Sequence, residues 1–188
     1  MKKTAIVLAL VLVMSLGLGM TSATADNAPS VDNVVSINVW PYLMTFFNLE
    51  YERKLADALS LRVRGMYFAL LGNFSDGAGQ FYGFGGDIFF YPAGTALSGF
   101  YVGPRYDLFI SSFTSGTDAI TALMHYVGGS IGHRWVFESG FTMAISLGAW
   151  ANVASTATYD DGSGSFTGDI PSIGGPWPTF NFDIGYGF

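Results

Sequence analysis

Phe180-Asn181-Phe182-Asp183-Ile184-Gly185-Tyr186-Gly187-Phe188 closes the chain with large apolar side chains at every second position and small or polar ones between. A period of two places Phe180, Phe182, Ile184, Tyr186 and Phe188 on one face of a strand, with Asn181, Asp183 and the glycines on the other. The same alternation recurs upstream. Phe47, Leu49 and Tyr51 oppose Asn48, Glu50 and Glu52, and Leu61, Val63 and Tyr67 oppose Arg62 and Arg64. Tyr82, Phe84, Ile88 and Phe90 oppose Gly83, Gly85 and Asp87, while Phe100, Val102, Tyr106, Leu108 and Ile110 oppose Arg105 and Asp107. Phe141, Met143, Ile145 and Leu147 then oppose Thr142, Ser146 and Asn152. One face of the implied sheet is hydrocarbon and the other carries the ions.

That division fixes which face looks outward. A soluble lipid-binding barrel is apolar inside and polar outside; an arginine directed into a bilayer midplane costs about 2–4 kcal/mol, so here the charged face lines a lumen. The chain is therefore expected to be all-β, an eight-stranded antiparallel transmembrane β-barrel over 34–188. Strands are predicted near 34–40, 46–54, 59–70, 80–91, 99–110, 120–137, 141–153 and 178–188. Tight connections at 55–58, 92–98 and 138–140 alternate with looser ones at 71–79, 111–119 and 154–177, as periplasmic turns alternate with outside loops. The rival reading is one strand over 34–53, because Val35, Ile37 and Val39 keep phase with Phe47, Leu49 and Tyr51. It leaves an odd strand count and puts Pro41 inside a ladder, where proline removes a donor.

The opposite end of the chain fits export. Met1-Lys2-Lys3 is basic, Ala5 to Met20 is largely apolar, and Ala23-Thr24-Ala25 offers small residues for cleavage before Asp26. Residues 1–25 are expected to be a signal peptide and 26–33 a short N-terminal segment. Beyond the signal no apolar run reaches helix-spanning length, which leaves strands to satisfy the backbone in a bilayer. Six Lys/Arg against fourteen Asp/Glu remain, a net charge near −8, and an acidic chain is a poor partner for nucleic acid. The absence of cysteine removes disulfides and a lipoprotein anchor. Tyr51, Phe90, Phe100, Trp135, Phe137, Phe141, Tyr186 and Phe188 fall beside the short turns on the apolar face, as an interfacial aromatic girdle would.

The closing alternation with its terminal Phe188 resembles the last strand of bacterial outer-membrane β-barrels, which the barrel-assembly machinery reads during insertion. Asn48-Leu-Glu-Tyr-Glu-Arg-Lys-Leu55, Gly99-Phe-Tyr-Val-Gly-Pro-Arg-Tyr106 and Gly128-Gly-Ser-Ile-Gly-His-Arg-Trp-Val-Phe137 resemble an uncharacterised group of small outer-membrane barrels, and more loosely the OmpA/OmpX/OmpW-like barrels. The resemblance implies a bacterial outer-membrane location, with outer-membrane lipids and the assembly machinery as partners. It implies no catalytic residue and no cofactor.

Nine charges fall on the lumen phase: Glu50, Glu52, Asp87, Asp107 and Asp183 against Arg62, Arg64, Arg105 and Arg134. Eight strands enclose a space that side chains can fill, and paired ions persist where lone ones do not, so a plugging network is expected. The alternative is a conduit through the lumen or a lateral opening, with the glycine pairs at 85–86 and 128–129 as bends. His125 and His133 lie on the lipid-facing phase unless a bulge at 128–129 turns one inward. Neither is followed by the His-x-Ser pair of the outer-membrane lipid A deacylases, and the Asp-x-Asp and Asp-x-His pairs of the outer-membrane proteases do not occur. A lipid-modifying enzyme is therefore the weakest reading. The segment 154–177, with Asp160, Asp161 and Asp169, reads as an acidic, mobile loop without an EF-hand spacing for metal. A structural or surface-interacting barrel is the expectation.

Overall fold

The computed structural model describes residues 30–39, 47–70, 77–93, 95–172 and 174–188, so the expected signal peptide and the connection at 41–45 lie outside the described residues. Nine antiparallel strands are present among the described residues: β1 (Asn33–Asn38), β2 (Phe47–Ala56), β3 (Leu59–Leu70), β4 (Gly77–Phe90), β5 (Gly99–Ser115), β6 (Asp118–Val136), β7 (Phe141–Asp160), β8 (Ser165–Asp169) and β9 (Trp177–Gly187). Eight of them close a ring in the order β1-β2-β3-β4-β5-β6-β7-β9 and back to β1. Closure is made by the C-terminal strand with its alternating apolar residues: Val35 lies opposite Tyr186 and Ile37 opposite Ile184.

The expected count of eight is corrected by β8, which pairs with the far end of β7, beyond the residues of β7 that pair with β9. Residues 34–53 form two strands: β1 and β2 are antiparallel partners, with Val35 opposite Tyr51. The loose connections at 111–119 and 154–177 are corrected as well. β5 and β6 run on to a two-residue turn at 116–117, and β7 and β8 form a hairpin. Its turn is built by side chains. Asp161 Oδ1 accepts from the Ser163 hydroxyl and from the Ser163 and Gly164 amides, and these bonds hold its carboxyl below the usual carboxylate range.

Strand length rises around the ring, from six residues in β1 to 17, 19 and 20 in β5, β6 and β7, and falls to 11 in β9. The wall is thus low on one side and tall on the other. Leu49, Val63, Phe84, Ile88, Val102, Ile131, Phe180, Tyr186 and Phe188 are exposed on the outer surface. Tyr51, Phe90, Phe100, Phe137, Phe141, Tyr186 and Phe188 are exposed at the end of the ring with the short turns. Trp135 is half-buried there, against His133 at 4.4 Å.

Candidate functional site

The ring interior is the most chemically distinctive region, and alternation alone builds its centre. Glu50 and Glu52 on β2, Arg62 and Arg64 on β3, Asp87 on β4, Arg105 and Asp107 on β5, Arg134 on β6 and Asp183 on β9 all project inward. The structure joins all nine in one network. Arg62 reaches Glu50 at 3.0 Å, Glu52 at 3.0 Å and Asp183 at 3.5 Å. Glu52 also binds Arg134 at 2.7 Å. Arg64 meets Glu50 at 4.0 Å, Asp107 at 3.2 Å, and Asp87, while Arg105 pairs with Asp107. Eight of these residues are no more than 5% exposed, and Arg105 is half-buried. Six strands of the ring are thereby cross-linked through its middle.

Glycine makes room for these ions. A Cβ at Gly85 would collide with the Asp107 carboxylate and lie 3.1 Å from Arg64 Cγ. The pair at 128–129 serves close wall packing, since a Cβ at Gly128 would lie 2.7 Å from Trp150 Cα. The bulge expected at 128–129 is found elsewhere: register shifts between His125 and Tyr126, opposite Val153. Both histidines stay on the outward phase. His125 Nδ1 is 2.7 Å from the Tyr106 hydroxyl, and His133 packs on Trp135.

Two apolar layers flank the ions, and sequence reasoning missed both. Toward the short turns, Phe89, Tyr91 and Tyr101 are buried, with ring centroids 4.6 Å apart for Phe89–Tyr101 and 5.6 Å for Tyr91–Tyr101. Tyr91 donates to Glu52 at 2.8 Å, Ser60 donates to the same carboxylate at 2.5 Å, and the Arg62 guanidinium stacks 4.6 Å from the Phe89 ring centre. Beneath them the connection after β4 folds back, its Ala96 amide donating to the Asp57 carbonyl at 2.6 Å. It buries Leu97 completely against Val31, Val34 and Val136. Leu97 adopts φ 71°, a conformation that costs an ordinary residue about 1–3 kcal/mol and persists where packing over-determines it. The consecutive apolar run Ile88-Phe89-Phe90-Tyr91 was the available signal, because it fills both faces of one strand.

On the other side of the ions, Phe109 meets Tyr126 edge-on at 5.4 Å and Trp150 edge-on at 5.4 Å. The Arg105 guanidinium lies 4.9 Å from the Trp150 ring centre. Phe109 and Met66 both pack over Gly83, where a Cβ would come within 2.9 Å of each. The interior therefore runs from an apolar floor through a layer of paired ions to an aromatic shelf.

No family model matches the chain, and no curated protein does. Among solved structures it is similar to the crystal structure of a major outer membrane protein from Thermus thermophilus. The likeness covers 85% of this chain and 100% of that one, with a TM-score of 0.53 at 14% identity. At that identity the likeness is one of fold alone: the chain is an antiparallel all-β sheet closed into a ring, resembling an outer membrane protein.

Proposed function

We propose that the protein is a bacterial outer-membrane β-barrel with a closed lumen, serving a structural or surface-interacting role. The observation that carries this reading is the nine-residue ion network, bounded on both sides by apolar layers. Removing one partner from such a network strands the others in a poor solvent for charge, so the groups hold one another and the wall in place. The exposed apolar outer surface supports a bilayer environment, because water would leave that hydrocarbon uncovered. Outer-membrane lipids are then its permanent partners, and the assembly machinery its partner during insertion. The reading assigns the protein no catalysis, its two histidines lying on the outward surface against Tyr106 and Trp135.

Single-channel recording of the refolded protein in planar bilayers tests the closed lumen. The expected result is a silent membrane for the native chain. Reproducible openings that change when Arg105 or Glu50 is replaced would sink the closed lumen and favour a conduit for small solutes.

A further inference from the structure

The sheet reverses its polarity toward its tall end. At the level of the ion layer, up to Asp107, the inner face is ionic and the outer face apolar. Beyond it, Phe113 lies opposite Ile120, Ile120 opposite Tyr159 and Tyr159 opposite Phe166, forming one apolar row across β5, β6, β7 and β8. This row continues the inward phase of Phe109 and Met124, since each lies an even number of positions along its strand from Phe113 or Ile120. The opposite face carries Ser112, Thr121, Thr158 and Thr167 in register, with the Thr158 and Thr167 hydroxyls 2.8 Å apart. Hydroxyls outside and hydrocarbon inside is the pattern of a wall with water at its back. The length of the strands agrees, because 9–11 residues cross a bilayer and β6 and β7 have 19 and 20.

The apolar inner row is uncovered. Phe113, Ile120, Tyr159 and Phe166 are 43%, 46%, 42% and 74% exposed. Beside it a cavity of about 200 Å³ lies between Phe68, Gly79, Phe81, Ser111 and Phe113. Phe81 packs on Phe109 at 5.4 Å, which ties the cavity wall to the aromatic shelf above the ions. The recess is half-open, apolar and small. A dry apolar cavity of about 150 Å³ holds benzene, so this one suits a single ring or a short alkyl group and is too small for a peptide helix.

We infer that the tall side of the mouth is a binding site for a small, uncharged hydrophobic molecule taken up from the outside medium. It rests on the bilayer placement proposed above, which makes this end the one beyond the membrane. The ion layer gives the site its floor: an uncharged molecule meets paired ions below the shelf and stops there.

The test uses the full barrel in lipid nanodiscs with 4-fluorophenylalanine placed at position 81 inside the recess, or at position 84 on the outer surface. Toluene is titrated and the fluorine resonance followed. A saturable shift at 81, beside a linear drift at 84 from toluene dissolved in the bilayer, is the expected result. Phe113→Asp should weaken the response at 81 at least ten-fold, while Thr158→Asp on the hydroxyl face should leave it unchanged. Folding of each variant is checked by heat-modified gel migration. An equal linear drift at both positions overturns the inference, as does a saturable shift that survives both Phe113→Asp and a second change, Ile120→Asp. A shift at 81 on changing nanodisc acyl length, with none on adding toluene, places a lipid tail in the recess and also overturns it. A silent membrane in the conductance experiment alongside a failed titration would remove the ligand site and leave the closed lumen standing.

Discussion

The lower and upper parts of the same strands obey one alternation with opposite meanings. On β5, Arg105 and Asp107 point inward while Tyr106 and Leu108 point out; a few residues on, Phe113 points inward while Ser112 and Thr114 point out. The backbone does not change between them, since β5 pairs with β6 without a break from Gly99 to Ser115. Period two therefore says that two faces differ, and the medium at each height decides which face takes the hydrocarbon. Below the shelf the outer face is expected to meet lipid, and ions retreat inside where they neutralise one another. Above it the outer face is expected to meet water, and hydroxyls suffice there.

The largest test of this contrast is on the ionic side. Glu52 accepts from Ser60, Tyr91, Arg62 and Arg134 at once. Glu52→Ala leaves two buried guanidiniums short of their shared carboxylate and should cost about 3–5 kcal/mol, measured by reversible denaturation of the barrel refolded in vesicles. Next comes the outer face of the same level. Val63 is 48% exposed there, and Val63→Arg should cost about 2–4 kcal/mol in the same assay if that surface meets the bilayer midplane. A cost below about 0.5 kcal/mol, the size usual for a water-facing surface change, would place Val63 in water and break the comparison. Gly85→Ala should cost about 1–3 kcal/mol as overpacking, because the new methyl must displace the Asp107 carboxylate from Arg64. A neutral result would mean that the pair is loose enough to shift.

The lower level was legible because each strand there offers two unlike faces. Glu50, Arg62, Asp107 and Asp183 stood out against Leu49, Val63, Leu108 and Ile184 with no need of the structure, and all four charges lie buried inside the ring. The part of the floor made by Leu97 was not legible, since Leu97 belongs to a connection and its burial comes from a fold-back that no local pattern encodes. The upper sheet was hidden for a different reason. Ser111-Ser112-Phe113-Thr114-Ser115 and Ala154-Ser155-Thr156-Ala157-Thr158 carry the small hydroxyl residues of loops, and their apolar phase is inverted relative to the strands below. On β7 the bulge at Val153 adds a further shift. One extra residue turns Thr156 and Thr158 outward and Tyr159 inward, so the phase of Thr142, Ser146 and Asn152 could not be carried through by counting in twos.

The smallest expected effect is the most discriminating one. Thr158 lies on the outer face in register with Thr121 and Thr167, and Thr158→Arg places a guanidinium where Val63→Arg would place one farther down the wall. If the tall side stands in water, the long side chain is solvated at once and loses only the weak hydroxyl contact to Thr167, so stability should change by no more than about 0.5 kcal/mol. If the tall side were embedded in lipid, the same arginine would carry a cost approaching that of Val63→Arg, lessened only by snorkelling toward the interface. The two arginines then measure one quantity, the polarity outside the wall at two heights. A ratio near one would erase the inversion, and with it the reason for an apolar recess on the inner face.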